Sequence, residues 1–290
     1  MGEAPETMIG LELPDVETWS ERVIVVRAQN PGIFTGPGTN TYLIGTGEAR
    51  ILLDTGEGVP AYLPVLERAL ADAPCRIQEI VLTHGHVDHM GGVPSVLERH
   101  GPLRVSKLPR PGCDACDAVE VTPLEDGAVV RAEGATLRAL HTPGHAADHL
   151  CFALEEERAI FSGDNVLGVG TTFIPVDGGD LSDYLRSLER LLDEAPGSIY
   201  PAHGPRISDG AAKIREYIAH RIQRESEILD ALERGGSNVR EIVEIVYVGY
   251  PATLHPPARH SVCSHLMKLE REARVRRSGD DPFEARWVLS

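Results

Sequence analysis

Apolar positions along the chain fall into short β-branched runs separated by stretches of helical spacing. Val23 to Arg27, Thr41 to Ile44 and Arg50 to Leu53 read as strands, the first two joined across Gly- and Pro-bearing turns as an opening hairpin. Leu63, Leu66 and Leu70 recur at helical spacing over residues 61–73, and Ile77 to Leu82 is again strand-like. Strand, helix and strand in that order predict a layered α/β arrangement. Val93 to His100 reads as a helix, residues 128–131, 136–140, 150–154 and 159–161 as strands, Leu181 to Leu192 as an amphipathic helix and Ser198 to Pro201 as a short strand. A long helix from Ala211 to Glu233 carries Ile214, Ile218, Ile222, Leu229 and Leu232 about whole turns apart and stops at Gly235-Gly236. Beyond it, helices near 239–246 and 258–272 and strands at 273–276 and 286–289 predict a winged-helix-like unit. The expected organisation is an aperiodic N-terminal arm over residues 1–20, a main α/β domain over 21–234 and a winged-helix-like C-terminal domain over 235–290.

With 290 residues, 42% hydrophobic and 25% charged, the composition is that of a folded globular chain. No apolar run approaches the roughly 20 residues that span a bilayer, so no membrane partner is expected. The first 20 residues hold several acids and no Lys or Arg, unlike a targeting peptide, which points to a cytoplasmic protein. Five cysteines at irregular spacing suit reduced thiols better than a disulfide framework. Cys113 and Cys116 have the spacing of half a zinc knuckle or a redox pair, but no second pair completes a site, and they read as incidental thiols. The net charge of −16 is uneven. Residues 207–290 hold 13 basic and 13 acidic side chains, leaving 15 against 31 in residues 1–206. That balance excludes a protein that grips nucleic acid mainly by neutralising phosphates. The C-terminal unit is therefore expected to serve packing or homodimerisation ahead of DNA binding.

Candidate chemistry concentrates where strands end. Thr83-His84-Gly85-His86-Val87-Asp88-His89 puts three imidazoles and a carboxylate within six residues, a density that a packed core has no reason to carry. In extended chain, side chains two apart project the same way. His84 and His86 can then reach one metal while Asp88 and His89, after the chain turns, reach a second. His145 could complete the first set, His203 the second, and Asp164 could bridge both through its two oxygens. Seven N/O ligands leave an open position for water, and imidazole with carboxylate favours two Zn ions, with Fe or Mn able to occupy the same geometry.

The set Asp54, HxHxDH, His145, Asp164 and His203 resembles the metallo-β-lactamase superfamily, over about residues 20–205. The implied fold is an αββα sandwich with a dinuclear site between the sheets. Gly38-Thr39-Asn40-Thr41-Tyr42, His141-Thr142-Pro143-Gly144-His145 with Asp148-His149, and the C-terminal unit are similar to the β-lactamase-like protein 2 group. That group includes an endoribonuclease acting on single-stranded RNA, whereas fungal relatives cleave thioesters of acyl carrier proteins. The resemblance implies a first zinc on His84, His86 and His145, a second on Asp88, His89 and His203, and Asp164 between them. It implies a zinc-dependent hydrolase working through a metal-bridging hydroxide, with Asp88 carrying a proton and Asp54 orienting the metal loop from behind. Single-stranded RNA is the first substrate expectation, with an acyl-carrier-protein, glutathione or coenzyme A thioester or a small ester as the alternative. A nucleic-acid-binding role for the C-terminal unit is the third. Asn40, Thr171 and Thr172 are candidate substrate contacts, and Arg271, Arg274, Arg276 and Arg277 candidate phosphate contacts. His141, His149 and His220 are read as structural, not ligating, histidines.

Overall fold

The computed structural model of the chain describes residue 8 and residues 10–110, 119–249 and 255–290. Cys113 and Cys116 lie outside the described residues. Seven strands form the first sheet in chain order: β1 (Val16–Thr18), β2 (Val23–Arg27), β3 (Asn40–Ile44), β4 (Ala49–Leu53), β5 (Arg76–Val81), β6 (Val105–Lys107) and β7 (Thr122–Pro123). The first four pair antiparallel through short connections. From β4 onward the pairing is parallel, beginning with a crossover through α1 (Tyr62–Asp72). After β5 the chain makes one helical turn, α2 (Val87–Met90), and then α3 (Val93–His100).

The second sheet has the order β12 (Ser198–Pro201), β11 (Ala159–Gly163), β10 (Leu150–Leu154), β9 (Ala135–His141) and β8 (Val129–Ala132). Only β11 and β12 pair parallel here, because α4 (Leu181–Asp193) lies between them in the chain.

Every position of β2, β3 and β10 is buried, and alternation explains why. Val23 and Val25 face the second sheet, whereas Ile24 and Val26 pack under α1 and α3. Phe152 and Leu154 meet the first sheet, while Cys151 and Ala153 pack under α4. Strands covered on both faces read as continuous apolar runs, and the result is the expected four-layer αββα sandwich. Full burial stabilises by roughly 1.5–3 kcal/mol for each large apolar side chain such as Phe152 or Phe161.

Two sequence expectations need correction. Residues 16–18 of the supposed arm form β1, with Val16 opposite Val26, and Trp19 packs in the inter-sheet core, stacked 5.8 Å from Tyr200. A three-residue strand with polar Glu17 and Thr18 leaves no alternation to read. The last helix is described over His255–Arg271 and so includes Pro256 and Pro257, ahead of the expected start near residue 258.

The C-terminal unit comprises α5 (Gly210–Glu233), α6 (Val239–Val246), α7 (His255–Arg271) and the hairpin β13 (Val275–Ser278) and β14 (Arg286–Leu289). Ile214 and Tyr217 of α5 pack on the second sheet, while its Ile228 and Ala231 join Val262, Leu266 and Trp287 in a separate core. One helix thus serves both cores. Arg271, Arg274 and Arg277 pair with Asp180, Glu225 and Glu270, so three of the four arginines offered as phosphate contacts are occupied within the chain.

Candidate metal centre

Parallel pairing of β4 with β5, and of β11 with β12, brings the ends of each pair to one edge, where Asp54, His84, Asp164 and His203 follow the strands. The two edges are stitched together. Leu150 N donates to Thr83 O at 2.7 Å, and Asn40 N to Ala202 O at 2.7 Å. Gly163 ends β11 at φ +50°, and a Cβ there would lie 2.5 Å from His149 Nε2, so only glycine lets Asp164 leave the strand in this direction.

The structure brings all seven expected ligand residues together in two groups. His84, His86, His145 and Asp164 form one, and Asp88, His89, Asp164 and His203 the other, each with ligand atoms within 4.8 Å of one another. In the first, His84 Nε2 and His145 Nε2 lie 2.9 and 3.0 Å from His86 Nδ1. In the second, Asp88 Oδ2 is 3.4 Å from both His89 Nε2 and His203 Nε2. Asp164 faces both: Oδ2 is 3.3 Å from His145 Nε2 and Oδ1 is 3.1 Å from His203 Nε2.

The outward ring atoms are held from behind. Asp54 accepts hydrogen bonds from Thr83 N at 2.8 Å and Thr83 Oγ1 at 2.9 Å, and lies 2.8 Å from His89 Nδ1. His89 is thereby fixed with Nε2 turned to the centre. His145 Nδ1 donates to Phe173 O at 2.8 Å, which fixes that ring in the same sense. His149 is no ligand: its Nε2 accepts from Asp164 N at 3.1 Å and its Nδ1 lies 3.2 Å from Thr142 Oγ1. Within the strip containing Phe173, Arg221 of α5 donates to Thr172 O at 2.5 Å and Ser264 of α7 to Ile174 O at 3.1 Å.

Burial and neighbouring charges divide the imidazoles. Burial, reinforced by His145, pushes His86 down to about 4, and burial with His89 and His86 holds His84 well below the usual range. Burial also disfavours charge on His203, but Asp164 and Asp88 outweigh it and lift the ring to about 9. His89 behaves likewise, its burial overcome by Asp88, Asp164 and Asp54. Burial opposes ionisation of Asp164 as well, yet His203 and His89 hold it well below the carboxylate range.

The donor set fits metal ions. His89 Nε2 and Asp164 Oδ1 are buried, point into the cluster and make no aligned hydrogen bond among the described residues, meeting only at ion-pair distances, an arrangement that a bound cation would satisfy.

The candidate substrate contacts fare differently. Asn40 Nδ2 donates to Pro201 O at 2.8 Å and Gly204 O at 2.9 Å, so its amide braces the loop carrying His203. Thr172 is buried and Thr171 exposed. Sequence reasoning missed Lys107, which is fully buried in an ion pair with Asp148, and gave no role to Thr83 or Phe173. A lone lysine closing a strand and a phenylalanine in a loop leave no pattern to find.

Comparison with known proteins decides the family. A family model described as Metallo-beta-lactamase superfamily matches residues 34–109 and 115–203. The chain belongs to the metallo-beta-lactamase superfamily. This superfamily hydrolase carries a C-terminal beta-lactamase associated winged helix domain, matched over residues 239–287. It is 41% identical over 272 residues to an atrochrysone carboxyl ACP thioesterase of Aspergillus chevalieri, covering 91% of this chain and 85% of that one. A metallo-beta-lactamase family protein, TTHA1429, from Thermus thermophilus superposes with a TM-score of 0.77 at 25% identity, covering 94% of this chain and all (100%) of that one. The structure of TTHA1623 in a di-iron-bound form matches with a TM-score of 0.50 at 31% identity, covering 62% of this chain and 93% of that one.

Proposed function

We infer that this hydrolase is a thioesterase with two metal ions, releasing acyl groups from an acyl carrier protein or from a small thiol such as glutathione or coenzyme A. The observation that carries the two-metal reading is Asp164, whose oxygens face two separate groups of converging donors. The 41% identical relative named as an ACP thioesterase supports the thioester over the RNA expected first from sequence. The ion-paired arginines of the C-terminal unit and the acidic main domain weigh the same way.

In this reading His84, His86 and His145 hold one ion, Asp88, His89 and His203 the other, and Asp164 both. The N/O donor set suits zinc, with iron the alternative suggested by the di-iron-bound structure. Bound there, the ions supply an activated water nucleophile and Lewis-acid polarisation of the thioester carbonyl. The chain contributes position and proton traffic. Asp54, Thr83 and the Phe173 carbonyl fix the rings, so no reorganisation is needed as charge develops. Asp88, whose Oδ2 lies 3.4 Å from both His89 Nε2 and His203 Nε2, is the carboxylate placed to move a proton at the site. It relays the proton lost by the attacking water to the departing thiolate, giving acid and thiol. A reducing, cytoplasmic setting belongs to the same proposal, since Cys75, Cys151 and Cys263 are free thiols.

The deciding experiment is a screen of zinc- and iron-loaded protein against acyl-carrier-protein, coenzyme A and glutathione thioesters and single-stranded RNA. Thioester hydrolysis with intact RNA is expected; RNA cleavage without thioester turnover would overturn the reading.

Two further outcomes follow. Asp54→Asn replaces an acceptor with an amide that cannot receive protons from Thr83 and His89 together, and should weaken metal binding about 10- to 100-fold in a chelator competition. Proton release on metal loading should also be measurable. In the metal-free protein His203, at about 9, and His89, higher than usual, are protonated at pH 7.5, whereas ligation requires neutral imidazole. Calorimetry in buffers of different ionisation enthalpy should therefore find roughly two protons released from these rings, and affinity falling as pH drops. Binding indifferent to pH between 6 and 8 would contradict this assignment.

A further inference from the structure

Between α5 and α7 lies a buried polar seam that the metal centre does not use. At one end the strip 172–174 closes it: Arg221 Nη2 of α5 donates to Thr172 O at 2.5 Å, and Ser264 Oγ of α7 to Ile174 O at 3.1 Å. At the other end Lys268 of α7 pairs with Glu225 of α5 at 2.6 Å. The two helices therefore run side by side in the same direction here. Arg221 and His265, each one turn before Glu225 and Lys268, are enclosed between the two ends.

The charges in this seam do not balance. Glu225 is already taken by Lys268 and Arg274, and Glu227 by Arg224 at 2.9 Å. Arg221 is 4% exposed, makes no ion pair among the described residues, and leaves its buried Nε without a hydrogen-bond partner there. The Tyr184 ring, 5.4 Å from its guanidinium carbon, offers a weak attraction and no counter-charge. The neighbouring imidazoles bring donors only. His265 is 1% exposed, and neither ring nitrogen has a hydrogen-bond partner among the described residues. Burial, then Arg221, Lys268 and Arg224, hold that ring well below its ordinary range, so it is neutral with one N–H to donate. Burial with Arg221 and Arg224 likewise pushes His220 down to about 4. Arg224 Nε is also buried and unpartnered among the described residues.

A buried guanidinium without a counter-charge is strongly unfavourable, and so is each unpaired donor beside it. Water would satisfy the donors and leave the charge. An anion satisfies both. We propose that this seam is a binding site for a small inorganic anion of the halide class, held between α5 and α7 by Arg221, Arg224 and His265. A monatomic anion accepts from donors at any angle and needs little room, so the enclosure of Arg221 and His265 selects it over an organic phosphate or carboxylate. Bound there, it fastens the C-terminal unit to the helix that also packs on the second sheet.

Two measurements on the metal-loaded full chain test the site. At constant ionic strength, replacing gluconate by about 100 mM chloride should raise Tm by about 5 °C. That rise should vanish in Arg221→Met, which removes the charge and a donor but none of the proposed metal ligands. Crystals of the wild type soaked in sodium bromide should show an anomalous peak in contact with Arg221 and His265. The soak needs no variant and decides the question where Arg221→Met fails to fold. A water at that place in the soaked crystals, a Tm indifferent to chloride, or a chloride shift undiminished in Arg221→Met would overturn the site. A bromide peak without any chloride shift would mark an adventitious ion only and overturn it equally.

Discussion

Replacing Asp164 by Ala is expected to lower kcat/KM for thioester hydrolysis by about three orders of magnitude or more. No other side chain in the cluster belongs to both groups of donors, with Oδ2 at 3.3 Å from His145 Nε2 and Oδ1 at 3.1 Å from His203 Nε2. In the proposed two-metal reading, truncation would remove a ligand from both ions, whereas His203→Ala would remove one from the second ion alone. It also strips a counter-charge from His89 and His203. The fold should persist, because the link to His149 is made by the Asp164 backbone N–H. Metal content measured by atomic absorption should fall with activity. Two retained ions and activity within tenfold of wild type would show that Asp164 does not bridge.

The largest stability effect is expected at Lys107. Its ammonium is fully buried, pairs with Asp148 and donates to Leu108 O at 2.7 Å. Arg110 lies 3.6 Å from the other oxygen of Asp148 but is itself one-third exposed, at 33%. Lys107→Met leaves a buried carboxylate without its main partner and should cost about 3–5 kcal/mol. For a chain of this size that is a fall in Tm of roughly 10 °C. Adding Asp148→Leu should recover much of the loss, since two apolar side chains of similar volume replace a buried pair at little net cost. A single variant as stable as wild type would show that water reaches the pair.

The layered fold and the candidate metal-binding residues stand out in the sequence for one reason. Strands covered on both faces must be apolar throughout, so any His or Asp just beyond them stands out, as His84, Asp164 and His203 do. Their supports were less visible. Thr83 and Phe173 act partly through backbone atoms, which carry no sequence signature, and Asn40 turns its amide nitrogen to the His203 loop. Lys107 and Asp148 lie 41 residues apart and meet only because β6 ends beside the turn before β10. Trp19 lay hidden for the opposite reason: a single large ring fills the core without any repeating neighbour to announce it.

The strip from Thr172 to Ile174 carries a consequence for genetics. It holds the carbonyl that orients His145, and its own carbonyls are held by Arg221 and by Ser264, the latter 90 residues further along the chain. A missense change in the C-terminal unit can therefore leave a soluble protein whose His145 ring is misaimed. Such an allele would be scored as an active-site lesion by anyone reading only the assay, although the altered residue never touches the reacting atoms.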